Sequence, residues 1–196
     1  MEFKEALGKY FRVRGNVASE QIDKPRNRGR WALALAMNDM GFRSGVEIGT
    51  LYGDSAEMWC STNPQLHLTC IDPYGPYRKR HGQKEQDAAY EATCKRLATF
   101  NVTMLRKMSL DAVGGFADGS LDFLHIDGDH SFDACILDIV AWAHKVRTGG
   151  LVLVHDYFSL NWQGVTQAVY AYTQAHHIDP WYITPDVSPT AFWVRA

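Results

Sequence analysis

The feature that most constrains this chain is an alternation of short apolar runs with segments of helical period, in which polar residues gather where the apolar runs end. The runs are 45–49 (GVEIG), 66–72 (LHLTCID), 102–107 (VTMLRK), 121–127 (LDFLHID) and 151–155 (LVLVH). Between them, Tyr90, Cys94, Leu97 and Ala98 recur at helical spacing. So do Ile136, Ile139, Val140, Ala143 and Val146, and again Val165, Ala168, Val169 and Tyr172. Strand-length runs this poor in polar residues are buried on both faces, which predicts a mostly parallel α/β sheet with helices on both sides. Gly149-Gly150, after Lys145 and Arg147, reads as a helix C-terminus feeding a strand. Near the C-terminus, 181–184 and 190–194 are separated by only 185–189 (PDVSP), too short for a helical crossover. Those two strands should pair antiparallel. The expectation is seven strands, all but the last parallel.

At 196 residues the chain reads as one domain spanning 1–196, with an N-terminal helical cover at 1–40 and a core at 41–196. The formal net charge of −2 argues against a protein that coats nucleic acid. The longest strongly apolar stretch, 150–154, is far short of the ~20 residues of a membrane span. Acids at Glu2 and Glu5 do not suit a secretory leader, and Cys60, Cys70, Cys94 and Cys135 form no paired motif. A cytoplasmic location is the expectation. Residues 73–87 (PYGPYRKRHGQKEQD) break the rhythm and read as an insertion able to form a lid, whose Arg78, Lys79, Arg80 and His81 suit an aromatic or anionic ligand.

In an open α/β sheet, ligands bind beyond the carboxyl ends of the strands, where strand order reverses. The residues falling there are Glu47 and Gly49, Asp72, Ser109, Asp127-Gly128-Asp129-His130 and His155-Asp156-Tyr157. The loop Gly49-Thr50-Leu51-Tyr52-Gly53-Asp54-Ser55 lets a ligand approach the backbone, but Leu51 stands where a dinucleotide fingerprint requires glycine. Glu47 suits a cationic amine better than a phosphate, and Asp72 is placed to accept from a ribose diol. Together they fit a nucleoside bearing an amino acid.

These motifs in order, VEIGTLYGDS, IDPYG, LDFLHIDGDHSFD and GGLVLVHDY, resemble those of class I S-adenosylmethionine (SAM)-dependent methyltransferases, most closely the macrocin- and catechol-type small-molecule O-methyltransferases. The resemblance covers about 45–196. It implies a Rossmann-like seven-stranded sheet with a reversed C-terminal strand, and methyl transfer from SAM to a hydroxyl of a small molecule. By the same resemblance, Glu47, Gly49, Thr50, Leu51, Gly53 and Ser55 shape the methionine end of the cofactor pocket. Asp72, with Pro73 after it, takes the ribose; Ser109 and Leu110 contact adenine, and Asp127 and Gly128 border the pocket. Asp127 and Asp156 fall where metal-dependent members bind magnesium, and His130 stands where the catechol enzymes place a general-base lysine. Those enzymes carry Asp-Asn where this chain has Asp156-Tyr157; a one-residue shift seen in macrocin-like relatives brings His155 into the ligand set, and imidazole suits zinc, iron or nickel better than magnesium.

Each assignment has a plainer counterpart. Ser109 would serve as a helix N-cap, Asp127 and Asp156 as turn acids, His130 as part of a helix start, and Tyr157 and Trp162 as core instead of acceptor pocket. Rival functions are methylation of a nitrogen on a metabolite or nucleic acid, cofactor binding without catalysis, and a nucleotide oxidoreductase, which Leu51 disfavours. The sequence does not fix an oligomeric state; a homodimer is the commonest outcome for a soluble enzyme.

Overall fold

The computed structural model describes residues 2–13, 19–23, 29–76, 82–158 and 163–196, of which 12–13 and 19–23 are described by backbone course alone. In chain order the elements are α1 (Phe3–Tyr10), β1 (Arg12–Val13), β2 (Ser19–Asp23), α2 (Gly29–Asp39), β3 (Ser44–Ile48), α3 (Asp54–Thr62), β4 (His67–Ile71) and α4 (Gln83–Leu97). There follow β5 (Val102–Leu105), α5 (Ser109–Ala112), β6 (Leu121–Ile126), α6 (Phe132–Trp142), β7 (Val146–Val154), α7 (Gln163–Ala175), β8 (Trp181–Ile183) and β9 (Ala191–Val194). The strands form one sheet in the order β1-β2-β8-β9-β7-β6-β3-β4-β5.

The seven expected strands are present, and β9 alone among them is reversed, antiparallel to both β7 and β8. The sheet also gains two N-terminal strands: β2 lies parallel to β8, and β1 pairs antiparallel with β2. The segment Ser19-Glu20-Gln21-Ile22-Asp23 holds a single aliphatic residue, so apolar periodicity gives no strand signal there. Its ladder is made by the backbone at a sheet edge.

The pleat separates two cores. Val46, Ile48, Leu124, Ile126, Val152 and Val154 pack beneath Ile139 and Trp142 of α6 and Val165 and Val169 of α7. On the other face Phe123, Leu151, Leu153 and Phe192 meet Leu7 of α1, Leu33 and Met37 of α2, and Trp59 of α3. Strands with apolar residues at successive positions thus feed both layers, as a parallel sheet requires. The N-terminal helices are one of those layers, pinned further by Lys9 and Tyr10, which donate to Asp39 at 2.5 and 2.7 Å.

Three expectations are corrected. Gly149-Gly150 do not precede a strand but lie inside β7, which begins at Val146. The β6–β7 register jumps from Leu121↔Val146 to Phe123↔Leu151, a bulge that absorbs the extra β7 residues. A Cβ at Gly150 would fall 2.5 Å from the Asp122 carbonyl oxygen, so this approach needs glycine. The buried stripe of α4 is Gln86, Ala89, Thr93 and Leu97, one residue displaced from the Tyr90–Cys94 stripe, because Thr93 is held under the loop after β3. Val140 of α6 faces outward, while Cys135, Asp138, Ile139 and Trp142 face in.

From β3 the chain steps to β4 and β5 on one side, whereas β6 and β7 lie on the other. The order therefore reverses between β3 and β6, and the crevice of this sheet opens beyond Ile48 and Ile126.

Candidate active site

The loop after β3 is held almost wholly by its neighbours. At Gly49 the backbone has φ +84°, and a Cβ would sit 2.1 Å from the carbonyl oxygen of Asp127, so both conformation and space demand glycine. Leu51 is also left-handed, at φ 42°, an uncommon state for a residue with a side chain. Three contacts hold it there. Its N–H donates to Asp72 Oδ2 at 2.9 Å, and its carbonyl accepts from Tyr74 Oη at 2.9 Å and from Thr93 Oγ1 at 2.5 Å. The chain thus keeps a left-handed backbone at the fingerprint's third position without using glycine.

Asp72 closes this arrangement. Its Oδ2 accepts from Thr50 N at 3.0 Å as well as from Leu51 N, and its Oδ1 accepts from Tyr74 N at 2.8 Å. An ionised carboxylate offers about four acceptor sites, so one is left for a ligand hydroxyl. Both the turn-capping and the ribose-binding readings of Asp72 are compatible with this count. Pro73 follows, the described parts of the expected lid (Pro73 to Pro76 and 82–87) are tethered through Tyr74, Gln83 and Arg106, and Arg78, Lys79, Arg80 and His81 lie outside the described residues.

Glu47 lies beneath the loop with no solvent exposure. Its Oε2 accepts from Trp59 Nε1 at 3.1 Å and faces His125 Nδ1 at 3.0 Å, across the β3–β6 pair that sets Glu47 opposite His125. Burial pushes its carboxyl up, against the opposing effect of His125. Oε1 has no hydrogen-bond partner among the described residues. Ser55 on α3 accepts from Arg30 Nη1 at 2.9 Å, a cation supplied by the N-terminal layer.

The ends of β6 and β7 carry the second group. Asp127, His130 and Asp156 each place one ligand atom within 4.8 Å of the others. His130 Nε2 is 3.5 Å from Asp127 Oδ1 and 3.4 Å from Asp156 Oδ2. His155 Nδ1 lies 3.2 Å from Asp127 Oδ1 and 3.6 Å from Asp156 Oδ1, behind that group of three. Burial pushes the Asp127 carboxyl up, but hydrogen bonds from His130 and His155 outweigh it and hold the group well below the usual carboxylate range. The hydrogen bond to Asp127 in turn raises the pKa of His130. Asp156 is left-handed, at φ 57°. Of the four non-glycine residues with positive φ among the described residues, Leu51, Tyr74 and Asp156 all border this crevice, the clustering expected where structure over-determines a working site.

Elsewhere the plainer readings divide. Ser109 does not cap α5; Met108 holds that position, and the Ser109 hydroxyl donates to Asp138 instead. Leu110 beside it is 46% exposed. Ser131, not His130, caps α6, accepting from Ala134 N at 3.3 Å. Tyr157 is core, edge-on to Trp181 at 5.2 Å between centroids. Trp162 is outside the described residues. His125, Trp59, Thr93 and Asp138 were not singled out by the sequence: each lies inside a strand or helix, where pattern reads as core.

The model of the family described as "Methyltransferase domain" matches residues 46–157, more than half of the chain and the strand ends that form the crevice. The chain belongs to this methyltransferase family. An uncharacterized protein of Acanthamoeba polyphaga mimivirus is 27% identical over 121 residues, 60% of this chain and 52% of that protein, so the chain spans about half the length of that relative. Among solved structures, cofactor-bound Rv0187 from MTB is 18% identical with a TM-score of 0.64, covering 88% of this chain and 84% of that one. An O-methyltransferase from Bacillus cereus in complex with SAH is 15% identical with a TM-score of 0.63 over 85% and 80%. The O-methyltransferase TomG from Streptomyces achromogenes, in complex with SAM, is 17% identical with a TM-score of 0.60 over 85% and 79%. At these identities the structural likeness establishes the fold. Among the described residues no helix is long and apolar enough to cross a membrane.

Proposed function

We propose that this methyltransferase transfers the methyl group of SAM to a hydroxyl of a small molecule, with Asp127 and Asp156 able to hold a divalent cation and His130 receiving the acceptor's proton. The observation that carries the reading is the convergence of Asp127, His130 and Asp156 at the strand ends immediately beside the glycine loop. Cofactor and acceptor would then meet across the β3–β6 switch point.

The cofactor side is formed by Gly49, Thr50, Leu51, Gly53 and Ser55, with Glu47 beneath them, Asp72 and Pro73 toward the ribose, and Ser109, Leu110 and Gly128 toward the adenine. The two carboxylates, Asp127 and Asp156, fit a hard divalent cation of the magnesium-to-manganese class. Such a cation would supply Lewis acidity that lowers the pKa of an acceptor hydroxyl. Asp127 and Asp156 would be its ligands, and His155 orients Asp127 from behind.

In the transfer, the acceptor oxygen attacks the methyl carbon of the sulfonium. The carbon–sulfur bond breaks with its electron pair going to sulfur, leaving S-adenosylhomocysteine (SAH). The acceptor's proton passes to the His130 imidazole, whose neighbouring carboxylates favour the imidazolium that results. Alignment of oxygen, methyl and sulfur supplies the rest of the acceleration.

The test is turnover of a panel of hydroxylated small molecules by the wild-type chain, with and without EDTA, alongside Asp127→Asn and His130→Ala. Methylated oxygen in the product, lost in both variants, supports the reading. Transfer to nitrogen alone, or undiminished turnover by both variants, contradicts it.

A further inference from the structure

A buried acid on the adenine side has no part in the mechanism above. Asp138 lies on the inner face of α6 and is 6% exposed. Its Oδ1 accepts the hydroxyl proton of Ser109, the first residue of α5. Its Oδ2 faces the end of β6, where a Cβ added to Gly128 would stand 3.7 Å away. A carboxylate taken so far from water needs a partner or a purpose, and burial pushes its pKa up to about 6, with Asp129 adding to the rise.

A hydroxyl carries one proton and two lone pairs. Once Ser109 commits its proton to Asp138, its oxygen can only accept from a ligand. We propose that the Ser109–Asp138 pair makes this site selective for a 6-aminopurine, whose exocyclic amine donates to Ser109, over a 6-oxopurine, whose carbonyl would meet lone pairs. This rests on the placing of the cofactor's adenine against Ser109 in the proposed function. Asp138 is a positioning residue here: it touches Ser109 and fixes the direction of that hydroxyl's proton. Without Asp138 the hydroxyl is free to rotate and donate, so amine and carbonyl become alike to it. An asparagine keeps the accepting oxygen and so keeps the polarity.

The experiment is calorimetric titration of the wild-type chain with SAH and with S-inosylhomocysteine. The wild type should prefer SAH by at least about tenfold, the usual consequence of leaving one buried polar group mispaired. Asp138→Ala should reduce that preference by about fivefold or more, and Asp138→Asn should restore most of it. A purely structural Asp138 would weaken both ligands equally and leave their ratio unchanged, which would overturn the proposal. Equal affinity of the two ligands in the wild type would overturn it without any variant, so a substitution that fails to fold does not rescue it. Absence of SAH binding altogether would overturn the proposed cofactor as well, whereas SAH binding with no discrimination removes this inference alone.

Discussion

The two sides of the crevice are built on opposite principles. On the β3–β4 side the backbone is what is held: Gly49 N donates to the Ile71 carbonyl, and Thr50 and Leu51 are fixed by Asp72, Tyr74 and Thr93. On the β6–β7 side, side chains dominate: two carboxylates and two imidazoles lie within about 4 Å contacts of one another, and His155 Nε2 is buried without a hydrogen-bond partner among the described residues. A satisfied backbone cradle costs little reorganisation when a ligand arrives. A cluster of titratable groups is stable only through its mutual pairing, and it is where proton and metal chemistry can occur. One side is therefore suited to hold a ligand and the other to change one.

Substitutions should separate the sides, beginning with the most damaging. Gly49→Ala combines a left-handed backbone with a Cβ 2.1 Å from the Asp127 carbonyl, and should destabilise the fold by about 4 kcal/mol or more in urea titration. A loss under about 1 kcal/mol would show that the two sides are not in rigid register. His130→Ala should lower turnover by about 10³-fold while SAH affinity stays within about twofold, measured kinetically and by calorimetry on the same preparation. A parallel loss of both would erase the division of labour.

Asp138 gives a milder effect whose sign can be worked out. Its folded-state pKa is raised from 3.8 to about 6, so the native state retains a proton that the unfolded chain has released. Stability from this group is complete below the unfolded value and is lost as pH rises toward 6. Asp138→Asn should therefore be more stable than wild type by up to about 3 kcal/mol at pH 7 to 8, with the advantage vanishing below about pH 4 in thermal melts. The smallest effect is expected at Leu51→Gly, which relieves a strained φ and should change stability by about 1 kcal/mol or less. Its SAH affinity should be unaltered if Asp72, Tyr74 and Thr93 alone hold the loop.

Much of this organisation is legible in the sequence because strand ends advertise themselves. Glu47, Asp72, Asp127 and Asp156 are polar residues at the limits of apolar runs, and their positions in the crevice follow once the strands are placed. What supports them is not legible in the same way. Tyr74, Thr93 and Trp59 act through sequence separations of 23, 42 and 12 residues, and only the folded arrangement of the segment after β4, of α4 and of α3 brings them to the loop and to Glu47 beneath it. His125 and Asp138 sit on buried stripes where periodicity signals core and says nothing of hydrogen bonds. The edge strands β1 and β2 were missed for a related reason, since a ladder made by backbone needs no apolar alternation.

The most direct test of the division between a holding side and a reacting side is calorimetric titration of wild type, Asp127→Asn and His130→Ala with SAH, and of wild type with NAD. SAH should bind all three proteins with similar affinity, and NAD should give no heat. Loss of SAH binding in both variants, or a preference for NAD, would contradict this.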